Sequence, residues 1–162
     1  MIIKRGDGTY SGDYVFKSEQ QITRDMLEKA LVRVRTFLSI NGLNGEILYS
    51  HNLKYMWEHN TVKFFEIPLN GSIIRIYSVE IIDDEDNIGL RIVFKPKFCG
   101  IEEEEAKDNL IKWIETNQMC LMPRMIGSKH GEVVDHFDII TFDLIPKDRS
   151  NINIDEFKRS YK

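Results

Sequence analysis

Leu27, Leu31, Val34 and Leu38 recur at spacings of four, three and four, which places them along one face of a helix. Thr23 stands where an N-cap belongs and Asn41-Gly42 where a helix stops, so the pattern predicts a helix over about 23–40. A second helical pattern, Ala106, Leu110, Trp113 and Ile114, follows Gly100 and predicts a helix over about 101–119. Its first turn carries Glu102, Glu103, Glu104 and Glu105, whose charges complement the positive end of the helix dipole.

Between these helices the period changes to two. Ile88, Leu90, Ile92 and Phe94 alternate with Gly89, Arg91, Val93 and Lys95, the pattern of a half-buried strand. Two further β-rich runs, 62–69 and 72–82, flank Asn70-Gly71, a dipeptide suited to a type I′ turn. With the acidic turn Asp83-Asp84-Glu85-Asp86-Asn87 they predict a three-stranded antiparallel meander over 61–96, and Pro68 marks 62–69 as an edge strand. Shorter signals suggest strands at 13–17 and 46–49 and a helix at 52–59. Residues 121–133, with Pro123, Gly127 and Gly131, read as a loop before a last strand at 136–145.

The fold class expected from this order is α+β: a two-layer sandwich of an antiparallel sheet with the two main helices on one face. Residues 1–150 form the expected single domain. Residues 151–162 form a charged C-terminal tail or short helix, with Phe157 and Tyr161 as its apolar anchors.

The chain has 162 residues, 42% of them hydrophobic, which is enough for a core without disulfides and too apolar for a disordered chain. No apolar stretch reaches the roughly 18–20 residues of a membrane span, and the start does not resemble a signal peptide, so a cytoplasmic location is expected. Lys+Arg 22 against Asp+Glu 26 gives a net charge of −4, which argues against a general nucleic-acid binder. Cys99 and Cys120 form no metal or redox spacing and read as free thiols. The chain holds 22 Ile and only two Ala, a bias of AT-rich codons that points to a phage, a mobile element or a low-GC bacterium.

The candidate chemistry is sparse. His130, Glu132, Asp135, His136 and Asp138 are the densest set of potential metal ligands, but they match no standard motif. Arg124, Ser128, Lys129 and His130 surround Gly127 and could cradle an anion, although the spacing is not that of a phosphate loop. Tyr55, Met56 and Trp57 could present an aromatic anchor to a partner. The cations and aromatics of 63–65, 75–77 and 91–94 interleave, a pattern shared by single-strand binders and by any sheet with one wet face. Neither a GxSxG elbow nor a nucleophile–base spacing occurs.

The expected function is therefore a non-enzymatic binding protein of the inhibitor or immunity type, needing no cofactor, that occludes a macromolecular partner. That partner would be a basic or nucleic-acid-processing protein. Asp83, Asp84, Glu85, Asp86, Glu102 and Glu103 would steer it, Tyr55 and Trp57 would anchor it, and Arg124 and Lys129 would add polar contacts. The alternatives are a self-assembling phage neck or tail component and a metal-dependent hydrolase or nuclease built on 130–138.

Overall fold

Five strands pair antiparallel in the order β1-β2-β5-β4-β3: β1 (Ile2–Lys4), β2 (Tyr10–Val15), β3 (Leu43–Gly45), β4 (Ile74–Asp84) and β5 (Asn87–Pro96). The computed structural model describes residues 1–40, 42–66, 72–84, 86–98, 100–131, 133–148 and 151–159, with backbone alone at 84, 129, 130, 135 and 136. Leu90, Ile92 and Phe94 of β5 face the core, as their alternation requires. Opposite them on β4 a bulge between Ile76 and Ser78 shifts the parity. Ile74, Ile76 and Val79 all point inward, and Tyr77 is left 51% exposed on the outer face.

The β4–β5 hairpin is the one its sequence suggests, with Asp84 opposite Asn87 at the turn. The third strand of the antiparallel unit is a different one. Residues 62–65 are not a strand but lie in a helix, α3 (Thr61–Phe65), capped by Asn60, whose side chain accepts from the Lys63 N–H at 3.3 Å. The strand beside β4 is β3 instead. The Asn70-Gly71 turn lies outside the described residues. The segment at 46–48 does run extended, but against another strand, β7 (Val133–Pro146): Leu144 donates to the Glu46 carbonyl at 2.8 Å and accepts from the Leu48 N–H at 3.0 Å.

Residues 121–133 are also not a loop. Most of them belong to β6 (Met119–His130), which pairs with β7 in a long hairpin from Met119 opposite Pro146 to His130 opposite Val133. Two features make a strand of this polar, proline-containing segment. Pro123 sits where β6 has no second partner strand among the described residues, so its missing N–H breaks no ladder. Register shifts at Arg124/Met125 and Ser128/Lys129 absorb the irregular residues.

The inner face of the sheet is covered by this hairpin together with α1 (Arg24–Ile40) and α4 (Glu104–Glu115), all contributing to one core. On α1, Leu27, Ala30, Leu31 and Val34 are buried; the Thr23 hydroxyl accepts from the Met26 N–H at 3.2 Å. Gly42, at φ +78°, donates to the Phe37 carbonyl at 2.7 Å and ends the helix. Two further glycines exist because chains approach too closely for a side chain. A Cβ on Gly12 would fall 2.8 Å from Leu121 Cδ1, and one on Gly45 would overlap the Phe142 carbonyl oxygen.

A helix, α2 (Ser50–His59), buries Met56 and precedes α3. The chain closes with α5 (Ile154–Lys158), whose segment is tied down by more than Phe157. Ile152 and Ile154 are also buried, and the Tyr49 hydroxyl donates to the Ile152 carbonyl at 2.8 Å while accepting from the Ile154 N–H at 3.1 Å. Tyr161 lies outside the described residues. No helix among the described residues is long and apolar enough to cross a membrane.

Tyr10 couples β2 to α4: its hydroxyl donates to Glu115 Oε1 at 2.7 Å, and Lys4 reaches the same carboxylate at 3.1 Å. Burial, then the Glu115 hydrogen bond, push the Tyr10 phenol up to about 12. Because the folded protein holds this proton more tightly, the stabilisation is complete below the ordinary tyrosine range and is lost as pH rises through 10 to 12. Unfolding free energies from urea titrations at pH 8 and pH 12 should therefore differ by roughly 2 kcal/mol for the native chain, and by clearly less for Tyr10→Phe.

Candidate functional site

The structure separates the two acidic segments. Asp83 and Asp86 lie at the turn end of the β4–β5 hairpin, and Asp83 is already paired, with Arg24 Nη2 at 3.0 Å. The Glu102–Glu105 run follows the other end of β5, whose ten residues at about 3.3 Å each place the two segments roughly 30 Å apart along the strand. They form no common patch. Glu85 lies outside the described residues, and Asp84 is placed by its backbone alone.

The second segment opens a groove. Glu105, Asn109 and Trp113 recur at intervals of four and so share one face of α4. That face lies across from Asn151, Asn153, Glu156 and Phe157, the segment held in place by Tyr49. Together with Glu103 and Ala106 they enclose a cavity of about 340 Å³. Asn153 caps α5 by accepting from the Glu156 N–H at 3.0 Å, and Trp113 meets Phe157 edge to face at 5.5 Å. Three carboxylates and three amides therefore line the groove over an aromatic pair, and no described lysine or arginine lines it. Glu104 points elsewhere, to Lys107 at 3.3 Å. Such a lining fits a guanidinium or ammonium group: carboxylates supply the charge, amide oxygens accept N–H bonds, and the indole offers a π face.

Arg124 has a different role from the one its sequence context suggests. It is no part of an anion-binding loop: its side chain is fully buried, and acidic groups already occupy it. Nε and Nη2 grip Asp143 at 2.9 and 2.7 Å, Nη2 also reaches Glu46 at 3.0 Å, and Nη1 donates to the Phe64 carbonyl at 3.2 Å. The Glu46 N–H completes Asp143 at 3.0 Å. Burial works against the charged guanidinium, but Asp143 and Glu46 outweigh it and hold its pKa above the ordinary value. The hub joins β6, β7, residue 46 and the end of α3.

Tyr55 and Trp57 are 62% and 47% exposed, and Val62 beside them is 71% exposed, an apolar concentration on α2 and α3 of the kind that marks interfaces. Trp57 packs on Phe64 at 5.4 Å and overhangs a groove of about 470 Å³ along β6. His51 stacks on Tyr49, and His59 meets Tyr55 at a tilt with ring centroids 4.4 Å apart, so both of these imidazoles have an aromatic neighbour.

Of the metal-ligand set, only Asp138 has a described side chain, and it is exposed on β7 opposite Ile126. Glu132 lies outside the described residues, and Lys129, His130, Asp135 and His136 are placed by backbone alone. Among the described residues no three His, Cys, Asp or Glu gather as a metal site. Burial pushes the Cys120 thiol up, away from the thiolate that nucleophilic chemistry requires. Cys99 lies outside the described residues. Comparison with family models, curated proteins and solved structures finds no match to this chain.

Sequence reasoning reached Glu103 in the groove but missed Asn109, Trp113, Asn151, Asn153 and Glu156. The spacing of four from Glu105 through Asn109 to Trp113 was a readable signal of a shared polar-aromatic face. Nothing in the sequence showed that the tail packs opposite it.

Proposed function

We propose that this is a non-enzymatic binding protein of the inhibitor or immunity type, which recognises a basic segment of another protein and blocks it. The observation that carries this reading is the groove lined by Glu103, Glu105, Glu156 and Trp113, with no cation in its lining. Three carboxylates along one groove give it a negative potential, and an incoming guanidinium or ammonium gains from that potential together with hydrogen bonds and a π contact. The net charge of −4 favours encounter with a basic partner, and the exposed Tyr55 and Trp57 extend the contact once it forms. Blocking follows from occupancy; no bond is made or broken.

Calorimetric titration with an arginine-rich peptide tests the reading. Each of Glu103→Gln, Glu105→Gln and Glu156→Gln should weaken binding about fivefold, and raising the salt from about 0.05 to 0.5 M should weaken it at least about tenfold. Unchanged affinity in the triple variant would sink the proposal.

A further inference from the structure

The outer edge of β6 lies between two apolar cavities. β7 pairs with β6 on one side, and among the described residues no strand pairs with the other. Gly127 stands opposite Phe137 and Ile126 opposite Asp138, so Gly127 and Ile126 belong to opposite faces of the hairpin. On the Gly127 face is a cavity of about 180 Å³ walled by Phe16, Ile22, Val134 and Phe137. On the Ile126 face is the groove of about 470 Å³ walled by Leu53, Trp57 and Phe64. Both cavities reach the same three residues, Met125, Ile126 and Gly127.

We propose that this edge accepts an extended segment of another protein as an added β-strand. Successive side chains of such a strand point to opposite faces, so one would enter the smaller cavity and the next the groove beside Trp57. Backbone hydrogen bonds to the open edge supply affinity, and the paired cavities select neighbouring apolar residues, the larger on the Trp57 side. Charge narrows the occupant further. Arg124 is neutralised by Asp143 and Glu46, which leaves Lys54 as the exposed charge lining the two cavities, and no described carboxylate lines either, so the segment carries an acidic flank on the Lys54 side. Its length is bounded as well. Pro123 offers no N–H, and the register shifts at Arg124/Met125 and Ser128/Lys129 bracket the site, leaving about four residues for regular pairing. Four residues per strand are too few for two copies of this edge to form a stable dimer through it, which favours a linear segment over a second copy. The edge is separate from the acidic groove, and either site can fail without the other.

The test is hydrogen exchange on the full chain with the peptide acetyl-Asp-Thr-Val-Leu-Val-Thr-Asp-amide and two N-methylated versions, each blocking alternate amides in one of the two phases. The native peptide should slow exchange at least about tenfold at those amides of residues 125–127 that point to the outer edge. A β-ladder uses only alternate amides, so one methylated phase should keep this effect and the other should lose it. Trp57→Ala should weaken the peptide about tenfold, whereas Glu105→Gln, which acts on the acidic groove, should leave its binding within about twofold. No slowing, or equal slowing by both methylated phases, overturns the proposal. So does protection at 125–127 that grows with protein concentration in the absence of peptide, since the occupant would then be a second copy.

Discussion

Arg124→Met is expected to destabilise the fold by about 3–5 kcal/mol in urea unfolding, the loss that follows when one partner of a buried ion pair is removed. The substitution leaves Asp143 fully buried and Glu46 nearly so, with two carboxylates facing each other and no cation, and it strips the Phe64 carbonyl of its donor. Burial already pushes the Asp143 carboxyl above the usual carboxylate range, against the pull of Arg124, and removing the arginine pushes it further in the same direction. Arg124→Lys should recover only part of the loss, because a single ammonium cannot reproduce the two-pronged grip on Asp143 and the reach to Glu46. Adding Asp143→Leu to Arg124→Met should restore a large share, since an apolar pair satisfies the site better than a lone charge. Additive losses in that double variant would show that the pair is not the source of the effect.

Gly45→Ala should be nearly as damaging, at about 3 kcal/mol or more, and Gly12→Ala clearly milder, at about 1–2 kcal/mol. The two positions look alike in sequence, each a glycine within a strand. At Gly45 the added methyl meets the Phe142 backbone carbonyl, and neither β3 nor β7 can move without opening the contact that closes the core. At Gly12 the obstacle is the tip of Leu121, a side chain that can rotate. Thermal melts of the two variants side by side check the order; equal losses would mean that the β3–β7 approach is not a rigid constraint.

The parts of this fold that were legible in sequence are those in which one physical signal dominated. The helix at Arg24–Ile40 combined an unbroken apolar stripe with a cap at one end and a glycine at the other, and β5 combined period-two alternation with an acidic turn before it. Residues 62–65 misled because Val62, Phe64 and Phe65 are strand-favouring types; Asn60 overrode that preference by capping a short helix that buries Phe64 against α2. Residues 121–130 misled in the other direction. Proline, arginine, glycine, serine and lysine compose a typical loop, yet here each has a place in a strand: Pro123 at an unpaired edge, Arg124 neutralised by Asp143 nineteen residues later in the chain's return, and the rest spread over two register shifts. Long-range pairing of this kind leaves no local trace.

The same limit applied to the groove. The carboxylates of 102–105 stood out, and Glu103 and Glu105 do line the groove, but the opposite wall comes from the tail, whose docking depends on the Tyr49 hydroxyl more than 100 residues away. The other acidic run, 83–86, was equally visible and lies at the far end of the hairpin, with Asp83 committed to Arg24. Charge density alone could not tell the two apart; neighbouring amides, an aromatic floor and the lack of a lining cation do.

That distinction sets the decisive measurement, which is an amide and indole chemical-shift map of the full chain titrated with an arginine-rich peptide. The account predicts shifts gathered at Glu103, Glu105, Asn109, the Trp113 indole N–H, Asn151 and Asn153. Shifts centred on Asp83 and Asp86, or spread evenly over every exposed carboxylate, would contradict it.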